Sequence, residues 1–158
     1  MGMTQEAISS DAGSQFVTVT IGDQLFGVPV LSVRDVLVAQ KITPIPLAPP
    51  EVAGALNLRG RIVTAIDMRR SLDLPPRESE DPGMYVVVEE LDELYSLMVD
   101  SVGEVMTLPE GSLERSPGTL DPRWREVSGG IYRLEGTLLV VLDVERLLDF
   151  MRRSDVIG

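Results

Sequence analysis

The 158-residue sequence contains no cysteine and no histidine. Without cysteine there is no disulfide, no thiolate nucleophile and no Cys-ligated zinc or iron–sulfur cluster, and the composition suits a reducing compartment. Without histidine the commonest general base and the commonest metal ligand are missing, and so is every Ser-His or Cys-His nucleophile. The residue types thus point away from catalysis and from any bound metal or cofactor. Basic residues are scarce as well: 14 Lys and Arg stand against 25 Asp and Glu, a net charge of −11. Such a charge repels phosphate backbones and anionic bilayers, which argues against nucleic acid as a partner. No run approaches the roughly 20 apolar residues of a membrane-spanning helix. The polar Met1–Asp11 start has neither the basic nor the apolar part of a secretory signal, so a soluble, cytoplasmic protein is expected. Gly54 and Gly129-Gly130 lack the spacing of phosphate-cradling loops, and the acidic clusters at Glu78–Asp81 and Glu89–Glu93 lack the glycine and alternating ligands of a calcium loop.

What the sequence does contain is an internal repeat. Phe16 through Val36 matches Tyr85 through Val105 at an offset of 69, aligning Leu25 with Leu94, Phe26 with Tyr95 and Val33 with Val102. A second block, Gly54–Val63 with Asp67, matches Gly130–Leu139 with Asp143 at an offset of 76, so the second copy holds seven extra residues between its blocks. Two copies of this length are too long for a solenoid unit and too few for an array; they read as two related subdomains in one body. At the aligned turns Arg59 stands where the other copy has Glu135. That charge reversal suggests that one copy carries a binding role the other lacks.

Hydrophobic alternation places a hairpin at Val17–Ile21, Gly22-Asp23 and Leu25–Val28, and a second at Tyr85–Val88, a turn within Glu89–Asp92, and Leu94–Val99. The second hairpin is apolar on both faces, as a strand covered on both sides would be. Val30, Val33 and Val36, and again Val99, Val102 and Val105, recur every third residue, which suits either a 3-10 turn or an extended segment with a bulge. Pro44, Pro46, Pro49 and Pro50 keep the following stretch out of helix. Asn57-Leu58-Arg59-Gly60-Arg61 reads as strand, tight turn, strand, with Gly60 supplying a positive φ. Both halves then run into helical patterns, from Asp67 and from Asp143. Residues 1–14 are expected as a mobile tail and 15–150 as the folded domain. Within it, subdomains at about 15–74 and 84–150 are joined by a stiff, solvated linker at 75–83, and 151–158 form a short tail.

Asp67 and Asp143, equivalent carboxylates in a duplicated β protein, invite comparison with an aspartyl hydrolase. Each ends an apolar strand and begins a helical pattern, however, where a carboxylate caps orphan amides and is worth about 1 kcal/mol. Arg59 is different. At a hairpin tip folding accepts almost any polar residue, so an arginine there is either a local surface ion pair or a binding group. The valine sets are open between core and interface.

Taken together, Gly27–Val36, Ile42-Thr43-Pro44-Ile45-Pro46, the Pro49-Pro50 to Asn57-Leu58-Arg59-Gly60 run, Ile66–Arg69 and Val99–Val105 resemble the CheW family of chemotaxis coupling proteins, from about Phe16 to Phe150. The resemblance implies an all-β fold of two SH3-like five-stranded β-barrels packed side by side, with short helices including one near the C-terminus. It also implies a non-enzymatic adaptor between the cytoplasmic tips of chemoreceptors and the regulatory domain of the histidine kinase CheA, monomeric when free and able to join rings in receptor arrays. The same scaffold in a chemosensory pathway controlling pili, development or a second messenger is the alternative. Carried over residue by residue, the resemblance marks Val30, Val33, Asp35, Val36, Gly54, Asn57, Leu58, Arg59, Gly60, Met84, Tyr85 and Val102 as partner-binding positions, with Arg59 foremost.

Overall fold

The computed structural model describes residues 13–77 and 80–157, so most of the expected N-terminal tail and Glu78 lie outside the described residues. Ten strands are described: β1 (Ser14–Ile21), β2 (Gln24–Pro29), β3 (Val33–Val38), β4 (Val52–Leu58), β5 (Arg61–Asp67), β6 (Met84–Glu90), β7 (Glu93–Val99), β8 (Ser101–Leu108), β9 (Ser128–Leu134) and β10 (Thr137–Leu142). Short helices α1 (Met68–Ser71) and α2 (Pro122–Val127) and the longer α3 (Val144–Ile157) complete the fold. The strands form two five-stranded sheets, ordered β8-β1-β2-β10-β9 and β3-β6-β7-β5-β4. Replacing each strand by its counterpart in the repeat turns one order into the other. The duplication thus survives as a pseudo-twofold relation between two open, SH3-like barrels.

Each sheet takes strands from both halves of the chain. Four pairings knit the halves together, β10 with β2 and β5 with β7 in parallel and β1 with β8 and β3 with β6 antiparallel, and the remaining pairings among the described strands are antiparallel hairpins. The sequence halves at 15–74 and 84–150 therefore do not map one to one onto the sheets.

Tight turns fix the hairpins. Ile21 lies opposite Gln24 across Gly22-Asp23, and Glu90 lies opposite Glu93 across Leu91-Asp92. The second turn is shorter than the sequence suggested, because Glu89 and Glu90 still pair in the ladder and only Leu91 and Asp92 take positive φ, 53° and 67°. The valine spacing resolves into both of its readings: Val30–Ser32 is a 3-10 turn, and β3 follows with a register shift between Val33 and Asp35.

A shared core explains the doubly apolar hairpin. Val86, Val88 and Leu97 of the second sheet pack with Val19, Phe26 and Val140 of the first in one buried cluster. On its other face, Tyr85 and Val87 pack with Leu56, Val63 and Ala65 inside the second barrel. Each fully buried side chain of this kind contributes about 1.5–3 kcal/mol.

Asp67 and Asp143 are helix caps. Asp67 Oδ1 accepts from the Arg69 and Arg70 amides at α1, and Asp143 Oδ1 accepts from the Arg146 amide at α3. Asp67 ends β5 of the second sheet and Asp143 follows β10 of the first, each with a carboxylate oxygen committed to its own helix, as the capping reading expects. The segment 151–158, expected as a tail, is helical to Ile157. Val144, Leu147, Leu148 and Met151 form one apolar stripe buried on the shared core, so the helix gains burial by continuing. The linker also differs from expectation. Arg77 is ion-paired and Gly83 packs against the Val99 carbonyl, so those parts of 75–83 lie down on the body.

Candidate partner-binding rim

The candidate residues divide into two groups. Val30, Val33, Met84 and Val102 are half-buried and pack against the shared core, where side chains act first on folding. Tyr85, expected on the partner surface, is only 3% exposed. Its hydroxyl donates to the Gln40 carbonyl at 2.9 Å, and burial raises its pKa against the lowering effect of that bond. A tyrosine in this position holds the segment that follows β3 and offers little of its own surface to a partner. Gly54 is buried too, with φ 152°; a Cβ there would come within 2.3 Å of the Thr43 carbonyl. Only glycine admits the bridge between Thr43 and Ala55 that lays the proline-rich segment along β4.

The second group meets at one rim of the second barrel. β3 and β4 are the two edges of their sheet, and Arg59 reaches across the gap to Asp35 of β3, with Nη1 3.1 Å from Oδ2. Leu58 lies opposite Arg61, so Arg59-Gly60 is a two-residue turn, and both residues have positive φ, 51° and 88°. That is the geometry of a type I′ hairpin, in which glycine is at ease and arginine is not. The Asn57 side-chain oxygen accepts from the Gly60 amide at 2.9 Å and pins the turn. Leu58 packs inward against the barrel. The arginine side chain remains 76% exposed despite its ion pair. Asp35 Oδ1 meanwhile accepts from the Val36 amide, leaving Val36 on the outer face of β3.

Three rim features escaped the sequence reading. Arg34 pairs with Glu89 at 2.9 Å, and Arg61 donates to the Asp92 carbonyl, so the start of β3 and the turns β4–β5 and β6–β7 share one end. Leu31, Ile62 and Leu91 are largely exposed beside these groups, Leu31 at 90%. Their isolation along the chain hid them; only the fold brings them to one end. Arg34, Arg59 and Arg61 thus gather in an otherwise acidic protein, interleaved with apolar side chains. At the matching turn of the other barrel, Glu135 does not share the positive φ of Arg59, so backbone as well as charge differs.

Among the described residues no three His, Cys, Asp or Glu side chains cluster as metal ligands. None of the described helices is long and apolar enough to cross a membrane. Two fused barrels presenting a charged and apolar rim, with the conspicuous carboxylates committed to helix caps, define a binding scaffold. Its family follows from comparison with known proteins: the CheW-like domain matches residues 15–151, and the chain belongs to that family. It is 28% identical over 142 residues to the chemotaxis protein CheW of Treponema pallidum (strain Nichols), covering 87% of this chain and 84% of that one. Protein PilI of Pseudomonas aeruginosa is 27% identical over 136 residues, covering 86% and 75%. Among solved structures, the scaffolding protein TtCheW from Thermoanaerobacter tengcongensis superposes with a TM-score of 0.77 at 27% identity, covering 85% of this chain and 87% of that one. The protein is a chemotaxis scaffold of the CheW type, from a family of adaptors rather than catalysts.

Proposed function

We propose that this scaffold couples the cytoplasmic tips of chemoreceptors to the regulatory domain of the histidine kinase CheA, working in the cytoplasm at membrane-associated receptor arrays, and that the Arg59 rim is a partner contact. The observation that carries the reading is Arg59 itself: an arginine in a left-handed turn, mostly exposed, aimed by Asp35 and Asn57. Folding alone favours a smaller residue there, so the guanidinium is retained for what it can bind. A carboxylate or backbone carbonyl of a partner satisfies its free donors through charge-assisted bonds. The neighbouring Leu31, Ile62 and Leu91 supply the apolar area that gives such a contact its affinity. The partner-binding role of Val30, Val33, Met84 and Val102 is then indirect, through the shape of the barrels they pack.

Calorimetric titration with the regulatory domain of a CheA kinase, and separately with a receptor tip, tests the proposal. Saturable binding near one to one with each partner, with the kinase contact weakened by Arg59→Ala, supports it. No heat with either partner overturns it. The likeness to PilI supports one second reading, in which the same rim serves a chemosensory pathway that controls pili. Binding to that pathway's kinase and not to a chemotaxis kinase decides for it.

A further inference from the structure

The chain crosses between the two sheets twice, at β2–β3 and at β7–β8. The crossings occupy equivalent places in the repeat, with Leu31 aligned to Asp100, yet they are held very differently. The Leu31 side chain projects into solvent from its 3-10 turn, while Val30 packs on the shared core and the Leu31 carbonyl accepts from Arg34 Nη1, so this crossing is held by packing and one local bond. Asp100, the single residue between β7 and β8, is the meeting point of four segments. Its amide donates to the Thr20 carbonyl and its Oδ2 accepts from the Gly22 amide at 2.8 Å, which ties it to the β1–β2 turn of the first sheet. Arg69, on the helix that follows β5 of the second sheet, donates Nε to Oδ1 at 3.0 Å and Nη2 to Oδ2 at 2.7 Å. The same guanidinium donates to the Pro75 carbonyl, and Arg77 Nε lies 3.5 Å from Oδ1.

We infer that Asp100 is an orientation clamp: with Arg69 and Gly22 it locks the angle between the two barrels at the β7–β8 crossing, adding direction to the contact their shared core makes. The carboxylate is largely shielded, with its side chain 12% exposed and that of Arg69 20% exposed. A bidentate, shielded pair holds direction as well as distance, which a single point charge does not. The clamp joins the body of the second sheet, through Arg69, to the turn of the first, through Gly22. A shift of one barrel against the other therefore has to break or carry this fork. The clamp itself stands without the Arg59 rim, because its geometry involves none of the rim residues.

Residual dipolar couplings and amide hydrogen exchange on the full chain test it. In the parent protein one alignment tensor is expected to fit the amides of both sheets. In Asp100→Asn, which has one acceptor oxygen where the carboxylate has two, the sheets are expected to require different tensors. Exchange at the Gly22 and Asp100 amides should rise about tenfold or more, while amides of the central strands β2 and β7 hold steady. If Asp100→Asn fails to fold, Arg69→Lys removes the fork while keeping the charge, and the same divergence of tensors is expected. A common tensor in whichever variant folds overturns the clamp, as does a uniform rise in exchange across β2 and β7, which would mark an ordinary stabilising pair. Neither result depends on the identity of a partner.

Discussion

Replacing Arg59 separates binding from folding in a way that the turn geometry makes quantitative. Arg59 has φ 51°, in the left-handed region, which costs a non-glycine residue about 1–2 kcal/mol. Its ion pair with Asp35 is exposed on the arginine side, and such pairs are worth about 0–1 kcal/mol. Arg59→Ala keeps the backbone strain and loses the pair, so unfolding free energy should fall by no more than about 1 kcal/mol. Arg59→Gly loses the pair and relieves the strain, against about 0.5–1 kcal/mol of added unfolded-state entropy, and should land within about 1 kcal/mol of the parent on either side. Binding behaves otherwise. If the guanidinium is desolvated against a partner carboxylate or carbonyl, either substitution costs roughly 2–5 kcal/mol, a loss of about thirtyfold or more in affinity. Urea denaturation and calorimetric titration of the three proteins against the kinase regulatory domain read both quantities. Arg59→Ala with unchanged affinity and stability lowered by more than about 2 kcal/mol would refute the argument, because it would make the arginine a folding residue.

Gly54→Ala should lower the unfolding free energy by about 2–4 kcal/mol, since the added methyl meets the Thr43 carbonyl and the backbone is strained; a melting temperature within a degree or two of the parent would contradict this. The Asp100 carboxyl is pushed up by burial, but the Arg69 hydrogen bonds, the Gly22 amide and the two arginine charges outweigh this and hold it below its usual range. A depressed carboxylate contributes stability that is fully present above its unfolded pKa, about 4, and is lost as pH falls through the folded value. Urea midpoints between pH 2 and 6 should therefore drop more steeply for the parent than for Asp100→Asn, and parallel curves would refute the assignment. Asp67→Ala should cost about 1 kcal/mol through the lost cap of α1, with no loss of partner affinity in the same titrations.

Much of the fold was legible because local patterns decided it. Alternating valines and two-residue turns gave the hairpins, and the carboxylates at Asp67 and Asp143 announced helix starts. The exchange of strands was not legible. The crossings at Val30–Ser32 and Asp100 carry no composition that says which sheet the chain enters next, and parallel pairs such as Leu139 opposite Leu25 join residues far apart in sequence. The linker misled for a related reason: Arg77 reads as a solvated charge until Asp100 is brought beside it. At the site, Gly60 was legible as a turn residue, while the positive φ of Arg59 was not, since an Arg-Gly pair fits several turns. Tyr85 and Gly54 were placed on a partner surface by resemblance, and only the packing shows them buried.

The exchange of strands between the halves makes this chain a dimer written as a monomer. A half-length polypeptide would leave each sheet short of strands and could complete it only by trading them with a second copy. Cleavage of the connection between β5 and β6 should accordingly yield two fragments that stay together, interlocked through four strand pairings, β1–β8, β2–β10, β3–β6 and β5–β7, and one common interior. Fusion supplies what a symmetric pair of identical halves could not: freedom for one half to keep an arginine at its turn while the other carries a glutamate.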